Sequence, residues 1–368
     1  MDARLHTKTL PEVSTRIARS IASWWQVFGP ARRKRRVVSC NCTGYGLLLL
    51  TMGLLAGCGS TAISQAEDAE LTIQRDVVFD PTNDLKLDVF RPNDQATDRP
   101  IITFFFGGFW QFGGKDEIQN QMLAIRLARR GAIVILPDYR LYPAVRFPGF
   151  IEDGARAVVW ARDHAAELGG SPDRIFVAGH SAGAYIAAML ATDGRYLAAH
   201  GMSNARLGGA IGLAGPYGSW FTTNVTLGSI FTRATPAEVL PETFVSPDTP
   251  PMLLLSGGAD MLTRPSDSQT LAEQVRRAGG RAEARIYPLI GHVGIMMLTP
   301  WLPSMAPVVD DVIRFVRAQS PTRLVITARP GPRTGALVAY PPMPPAPQAG
   351  ASSPKRSSAS SDNGGHGS

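Results

Sequence analysis

Between about residue 71 and residue 318 the chain alternates short continuous apolar runs with longer stretches of helical periodicity. The runs are Ile101 to Phe106, Ala132 to Leu136, Arg174 to Ala178, Ala210 to Ala214, Met252 to Ser256 and Glu283 to Tyr287. Each is too short for a helix and is bounded by Gly or Pro, so each predicts a buried strand. Between them apolar residues recur at helical spacing over 118–130, 152–168, 182–200, 266–279 and 305–318. Strands separated by helices pair in parallel, with crossover helices on both faces of the sheet. Ahead of the first buried run, Asp76-Val77-Val78-Phe79 and Leu85-Lys86-Leu87-Asp88-Val89-Phe90 alternate like a hairpin. They predict antiparallel edge strands on an otherwise parallel sheet. The fold class is therefore α/β.

Two regions leave this rhythm. Residues 216–250 hold Tyr217, Trp220, Phe221, Phe231 and several prolines without clear periodicity, which reads as a long excursion over one end of the sheet. From 320 to 368 Pro, Ser, Gly and Ala dominate, a composition that cannot bury a core and predicts a disordered tail.

The net charge of +7 invites a nucleic-acid reading until its location is considered. Residues 1–57 hold nine of the 37 Lys and Arg but two of the 30 Asp and Glu, leaving 28 of each sign for the rest of the chain. A basic face for nucleic acid thus has little support, and no nucleic-acid partner is expected. The basic residues cluster in Arg32-Arg33-Lys34-Arg35-Arg36, followed by an apolar core at Leu47 to Ala56 that is too short for a comfortable membrane span of ~20 residues. Leu55-Ala56-Gly57-Cys58 resembles the lipobox of bacterial lipoproteins. It implies a signal peptide over 1–57, lipidation of Cys58, a tether over 58–70 and a folded domain over 71–319. The alternative is an uncleaved anchor helix from about Val37. Either reading places the protein outside the cytoplasm and attached to a membrane, on the periplasmic side or at the outer membrane. Cys40 and Cys42 fall inside the discarded segment, so the mature chain has one cysteine and no internal disulfide. No His, Cys and carboxylate cluster has metal-ligand spacing, and no metal or cofactor is expected.

Candidate chemistry begins at Gly179-His180-Ser181-Ala182-Gly183, which follows an apolar run and opens an Ala-rich helical stretch. G-x-S-x-G between a strand and a helix is the setting of a nucleophile elbow, although an ordinary tight turn can share the pattern. A serine hydroxyl needs a base, and the base needs an orienting acid. Asp260 follows the run Met252 to Ser256 through a Gly-rich loop, and His292 follows the next run through Pro288-Leu289-Ile290-Gly291. The order Ser, Asp, His with both partners beyond strand ends fits one site at the carboxyl edge of the sheet. Asp248 and Asp267 are the fallback acids. Oxyanion donors are expected from the amide of Ala182 and from the loop at Gly107, Gly108 and Phe109, with the amides of Gly108 and Phe109 as the specific candidates. Trp110, Tyr217 and Trp220 are the candidate substrate-pocket residues.

Phe106-Gly107-Gly108-Phe109-Trp110 resembles the HGGxW oxyanion motif of the esterase and lipase branch of the α/β-hydrolases, which includes BD-FAE-like and hormone-sensitive-lipase-like esterases, isoprenylcysteine methylesterases and arylformamidases. Leu87-Asp88-Val89-Phe90-Arg91-Pro92, Asp138-Tyr139-Arg140-Leu141, Gly169-Gly170-Ser171-Pro172-Asp173-Arg174-Ile175, Gly179 to Ala184 and Leu213-Ala214-Gly215-Pro216-Tyr217 fit the same branch. The resemblance covers about residues 75–318. It implies an α/β-hydrolase fold with Ser181 as nucleophile, Asp260 as acid and His292 as base. One departure is Phe106, where the motif begins with a His that braces the oxyanion loop through hydrogen bonds.

The implied activity is hydrolysis of a carboxylic ester, small or polymer-linked, without a cofactor. An arylformamidase or amidase shares the motif, but catabolism of a small intracellular metabolite fits an exported lipoprotein poorly. For a triacylglycerol lipase, 216–250 is short for a large lid. A binding scaffold derived from a hydrolase would be expected to have lost a triad member, and all three are present.

Overall fold

The computed structural model describes residues 70–223, 227–232, 234–296 and 306–319. The segments read as signal peptide, Cys58 and C-terminal tail, and the tether up to residue 69, lie outside the described residues. Eight strands form one sheet: β1 (Leu71–Asp80), β2 (Leu85–Pro92), β3 (Arg99–Phe105), β4 (Ile133–Pro137), β5 (Gly170–His180), β6 (Gly209–Leu213), β7 (Met252–Gly257) and β8 (Ala282–Tyr287). Their spatial order is β1-β2-β4-β3-β5-β6-β7-β8. β1 and β2 are antiparallel to each other, β2 is antiparallel to β4, and every other pairing is parallel.

Alternating side chains of each central strand enter two separate cores, because successive residues of a strand point to opposite faces. Ile101 and Phe105 of β3 and Ile175 and Val177 of β5 enter one core, while Ile102, Phe104, Phe176 and Ala178 enter the other. The first core is closed by α2 (Gly149–Asp163), α3 (Ala182–Thr192) and α4 (Pro265–Arg277), through residues such as Phe150, Ile186 and Leu271. The second is closed by α1 (Ile118–Arg129) and α5 (Val308–Ala318), through Leu123, Leu127, Val312 and Val316. Apolar residues on both faces explain why the strands read as unbroken runs. All eleven residues of α3 are buried, and its Ala-rich sequence lets the helix lie close to the sheet.

The helical stretch expected over 182–200 breaks in two. α3 stops at Thr192, Asp193 turns extended (φ −91°, ψ 94°), and a short turn follows at Arg195–Ala198. The buried Asp193 carboxylate accepts from both the amide and the guanidinium of Arg195, a local bond that competes with helix continuation. α2 occupies 149–163 rather than 152–168. The 216–250 excursion contains short helical turns at Trp220–Thr223, Gly228–Phe231, Pro236–Val239 and Pro241–Phe244. Among the described residues, no helix is long and apolar enough to cross a membrane.

Asp153 of α2 ties the helix to the chain leaving β4. It is fully buried and accepts from the Arg140 amide at 2.9 Å, from Arg140 Nη2 at 2.8 Å and from the Arg156 guanidinium. Arg156 also reaches Asp80 at the end of β1. Only the carboxylate is fully buried, the two guanidinium groups keeping part of their exposure, so its removal costs the charged hydrogen bonds it accepts, about 2 kcal/mol. Asp153→Ala is therefore expected to destabilise the protein by that order in urea unfolding. Asp163→Ala, which removes an exposed partner of Arg162, is expected to shift the midpoint little.

Candidate active site

β5 runs straight into α3 through Ser181, whose backbone sits at φ 53°, ψ −118°. That conformation is strained for a residue with a side chain, at a cost of about 1–3 kcal/mol, and the surrounding packing must enforce it. Two glycines make the turn possible. A Cβ on Gly183 would lie 2.0 Å from the Phe105 carbonyl oxygen, and one on Gly179 would lie 2.3 Å from the Gly183 carbonyl carbon. The Ser181 amide donates to the Leu213 carbonyl of β6 at 2.8 Å, and its own carbonyl accepts from the Tyr185 amide at 3.1 Å. Ser181 is thus held at the carboxyl edge of the sheet with its hydroxyl directed out of the turn.

The loops after β7 and β8 are laced together. The Gly258 amide donates to the Tyr287 carbonyl at 2.7 Å and the Ala259 amide to the Ile290 carbonyl at 3.0 Å. This brings Asp260 and His292 side by side. Asp260 Oδ1 accepts from the amides of Leu262 and Thr263, at 2.8 and 2.9 Å. Its Oδ2 accepts from Thr263 Oγ1 at 2.7 Å and contacts His292 Nδ1 at 2.9 Å. Burial alone would raise the Asp260 carboxyl, but the donors from His292 and Thr263 outweigh it and hold the group below the usual range. An ionised Asp260 makes Nδ1 the protonated nitrogen of His292, leaving Nε2 as acceptor. His292 Nε2 lies 2.9 Å from Ser181 Oγ. Ser181, His292 and Asp260 therefore form one continuous relay, brought together from three loops.

His180 supports the relay from beside the serine. Its Nε2 lies 3.1 Å from the His292 carbonyl oxygen, a contact that requires Nε2 to donate. Desolvation, reinforced by the neighbouring His292 ring, lowers its pKa to about 3.

The loop leaving β3 carries Gly107, Gly108 and Phe109, the candidate oxyanion residues. Gly108, Phe109 and Trp110 have φ of 130°, 53° and 59°, and the Gly108 carbonyl accepts from the amides of Gln111 and Phe112 at 3.0 and 3.1 Å. A Cβ on Gly108 would lie 1.9 Å from the Phe112 oxygen, so the tight turn requires glycine. Gly107 passes so near the nucleophile that its Cβ would stand 3.1 Å from Ser181 Cβ. Among the described residues, the amides of Gly108 and Phe109 make no backbone hydrogen bond. Ala182 opens α3, where first-turn amides have no partner inside the helix. Phe109 and Ala182 line the same cleft as Ser181.

A narrow cleft above Ser181 is lined by Phe109, Trp110, Ala182, Trp220 and His292, with Pro216, Leu262 and Thr263 completing it. Trp110 is almost wholly buried, its ring 5.0–5.9 Å from those of Phe150, Tyr185, Phe221 and Phe231. Tyr217 does not belong to this cleft, contrary to expectation. Its ring turns back under the sheet edge against Gly212 and Gly215, which have no side chains to exclude it, and desolvation raises its hydroxyl pKa. The fallback acids are elsewhere. Asp267 lies in the first turn of α4 against Gly218, and Asp248 is an exposed loop residue. A wider groove of about 880 Å³ runs among Arg146, Glu152, Arg195 and Glu238 but contains none of the relay, so chemistry and not size marks the site. Among the described residues, no group of three or more His, Cys, Asp or Glu side chains is placed to hold a metal ion.

Sequence reasoning passes over Thr263, His180, Leu262 and Pro216. Thr263 carries a faint local signal, an Asp followed three residues later by Thr. The contact of His180 with His292 spans more than a hundred residues and has none.

Residues 87–206 match the BD-FAE family model, and residues 157–299 match that of the prolyl oligopeptidase family. Over 269 residues the chain is 27% identical to a probable isoprenylcysteine alpha-carbonyl methylesterase of Arabidopsis thaliana, a match taking in 66% of this chain and 56% of the relative. Over 123 residues it is 38% identical to carboxylesterase NlhH of Mycobacterium tuberculosis, with 33% and 38% covered. The chain thus spans little more than half the length of the first of these relatives. Among solved structures, a thermophilic esterase of Thermogutta terrifontis in its propionate-bound form superposes with a TM-score of 0.57 at 25% identity, covering 68% of this chain and 94% of that one. Sheet order, elbow and these matches together give the chain an α/β-hydrolase fold, and the proteins it resembles fall in the esterase and lipase group of that fold.

Because His180 is neutral in the fold and titrates near 6.5 once unfolded, the unfolded state binds the extra proton between about pH 6.5 and 3. Its contribution to stability is intact above that window and is lost as the pH falls through it. His180→Asn is expected to flatten the loss of stability on acidification, read as urea midpoints at pH 7, 5.5 and 4. Parallel slopes for the two proteins would contradict the assignment.

Proposed function

We propose that this protein is a serine carboxylic ester hydrolase. The observation that carries the reading is the relay of two 2.9 Å contacts, Ser181 Oγ to His292 Nε2 and His292 Nδ1 to Asp260 Oδ2. Hydrolysis begins when Ser181 Oγ attacks the ester carbonyl while His292 Nε2 takes its proton. Asp260 holds the imidazole in the required tautomer and stabilises the imidazolium that forms. The amides of Ala182, Gly108 and Phe109 receive the oxyanion. His292 then returns the proton to the departing alkoxide, leaving an acyl group on Ser181. A water molecule activated by His292 releases the acid by the same steps in reverse.

The narrow, aromatic-walled cleft favours a compact ester group, free or displayed on a polymer. The basic run, apolar core and lipobox-like ending at Cys58 support export and attachment to the cell envelope through a lipid on that cysteine. Polymer-linked esters are the substrates that such a location would supply.

Full-length protein is expected to hydrolyse p-nitrophenyl acetate and butyrate faster than the octanoate. Ser181→Ala should lower kcat by at least ~1000-fold, and Asp260→Asn by about 1000- to 10,000-fold through loss of the correct tautomer. Serine-dependent cleavage of N-formylkynurenine without turnover of any ester would instead assign an amidase. For the envelope placement, Cys58→Ser is expected to abolish incorporation of labelled palmitate and to move the protein out of the membrane fraction of its host. Unchanged labelling and fractionation would overturn it.

A further inference from the structure

The loop that supplies the oxyanion amides starts at Phe106, the position where related motifs carry a bracing histidine. Phe106 and Tyr139 are both almost wholly buried, and their rings stack at 4.3 Å between centroids with 17° between planes. Tyr139 Oη also donates to the Phe106 carbonyl oxygen at 2.9 Å. One tyrosine therefore holds both the side chain and the backbone of the same residue. On its edge the Phe106 ring packs against Gly113, where a Cβ would stand 3.0 Å from Cδ2.

The carbonyl contact matters because of what it orients. The Phe106 oxygen and the Gly107 nitrogen belong to one planar peptide unit, so fixing the oxygen fixes the plane from which Gly107 departs. Gly107 itself has no room to shift, with His180 Nδ1 and Ser181 Cβ 2.9 and 3.1 Å from where its Cβ would be. Three residues later the Trp110 carbonyl accepts from the Tyr142 amide at 2.8 Å. The short segment from Tyr139 to Tyr142 thus grips the loop at both ends, and Gly108 and Phe109 lie between the grips. Those two residues and Trp110 all hold left-handed backbone conformations that relax readily unless they are restrained. Burial raises the Tyr139 hydroxyl far above its ordinary pKa, so it remains a donor at any working pH.

We propose that Tyr139 and Phe106 form a clamp that positions the oxyanion amides of Gly108 and Phe109, replacing by ring stacking and a carbonyl-directed hydroxyl the bracing that a histidine supplies at position 106 in related motifs. The proposal rests on the serine esterase reading above. Tyr139 and Phe106 touch no reacting atom; they are positioning residues acting through the loop.

Three variants of the full chain separate the parts of the clamp. Tyr139→Phe keeps the stack and removes the hydroxyl, Phe106→Leu keeps the hydroxyl contact and removes the stack, and Tyr139→Leu removes both. For each, kcat and KM on p-nitrophenyl butyrate are measured beside the inhibition constants of a trifluoromethyl ketone and the matching methyl ketone. The trifluoromethyl ketone forms a tetrahedral adduct whose oxyanion occupies the same amides, whereas the methyl ketone binds without reacting. Tyr139→Phe and Phe106→Leu are each expected to lower kcat by about 10-fold and Tyr139→Leu by about 100-fold, the scale of a misplaced catalytic geometry. KM and methyl ketone affinity should stay within about twofold, while trifluoromethyl ketone affinity falls in step with kcat. A purely structural role would lower the thermal midpoint without this parallel loss. The clamp is overturned if kcat holds within twofold in Tyr139→Phe and Phe106→Leu, or if the loss appears in KM with trifluoromethyl ketone affinity unchanged. Wild-type protein without any Ser181-dependent turnover would remove the esterase reading itself, and the clamp with it.

Discussion

The close approach of backbone to backbone at the Ser181 turn is the constraint on which the rest of the site depends. Gly183 lies against the Phe105 carbonyl and Gly179 against Gly183, at separations no side chain would allow. This lets α3 start directly above the edge of β3 and β5, which are neighbours in the sheet. A methyl group at either glycine would push the helix away. Ser181 would then lose its place beside Gly107 and below His292, and the strained φ of 53° would have nothing to enforce it.

From that turn outward, the sheet order does the assembling. β5, β6, β7 and β8 lie side by side in parallel, so the loops leaving their carboxyl ends gather along one edge. Parallel neighbours whose loops also hydrogen-bond to each other, as those after β7 and β8 do, give Asp260 and His292 a fixed separation. The electrostatics follow from the same enclosure. Desolvation would favour a neutral Asp260, and only the convergence of two amides, one hydroxyl and one imidazole keeps its charge in place. The restraint on His292 comes from two sides: Asp260 fixes its ring and His180 its carbonyl.

The cleft wall shows how packing also sets the shape available to a substrate. Trp110 belongs to the loop after β3 in sequence but to an aromatic cluster in space, shared with Phe150, Tyr185, Phe221 and Phe231. The cluster draws together α2, α3 and the excursion after β6. The loop is therefore held from the protein interior as well as by Tyr139 and Tyr142, and the cleft wall shares the core beneath it.

Much of this was legible along the chain, because short-range constraints write themselves into local pattern. Runs apolar on both faces marked β3 through β7, and the paired glycines around Ser181 announced a turn that only close backbone contact requires. Asp260 and His292 stood out because each follows a buried run at the expected edge. What the pattern could not contain was which distant side chains meet. Tyr217 and Trp220 look alike as aromatic residues of one irregular segment, yet one packs against the side-chain-free backbone at Gly212 and Gly215 and the other faces the cleft. Thr263, His180 and Tyr139 earn their places only through contacts with Asp260, His292 and Phe106, two of which span tens of residues or more. The break after α3 coincides with the bonds that the buried Asp193 carboxylate accepts from the amide and the guanidinium of Arg195. The sequence by itself determined the elements, the elbow and the candidate chemistry, since steric and periodic rules act between near neighbours. The tertiary structure alone decided the 2.9 Å relay, the contacts of Tyr139 and Tyr142 with the loop after β3 and the wall of the cleft, because those depend on the packing of segments that sequence distance keeps apart.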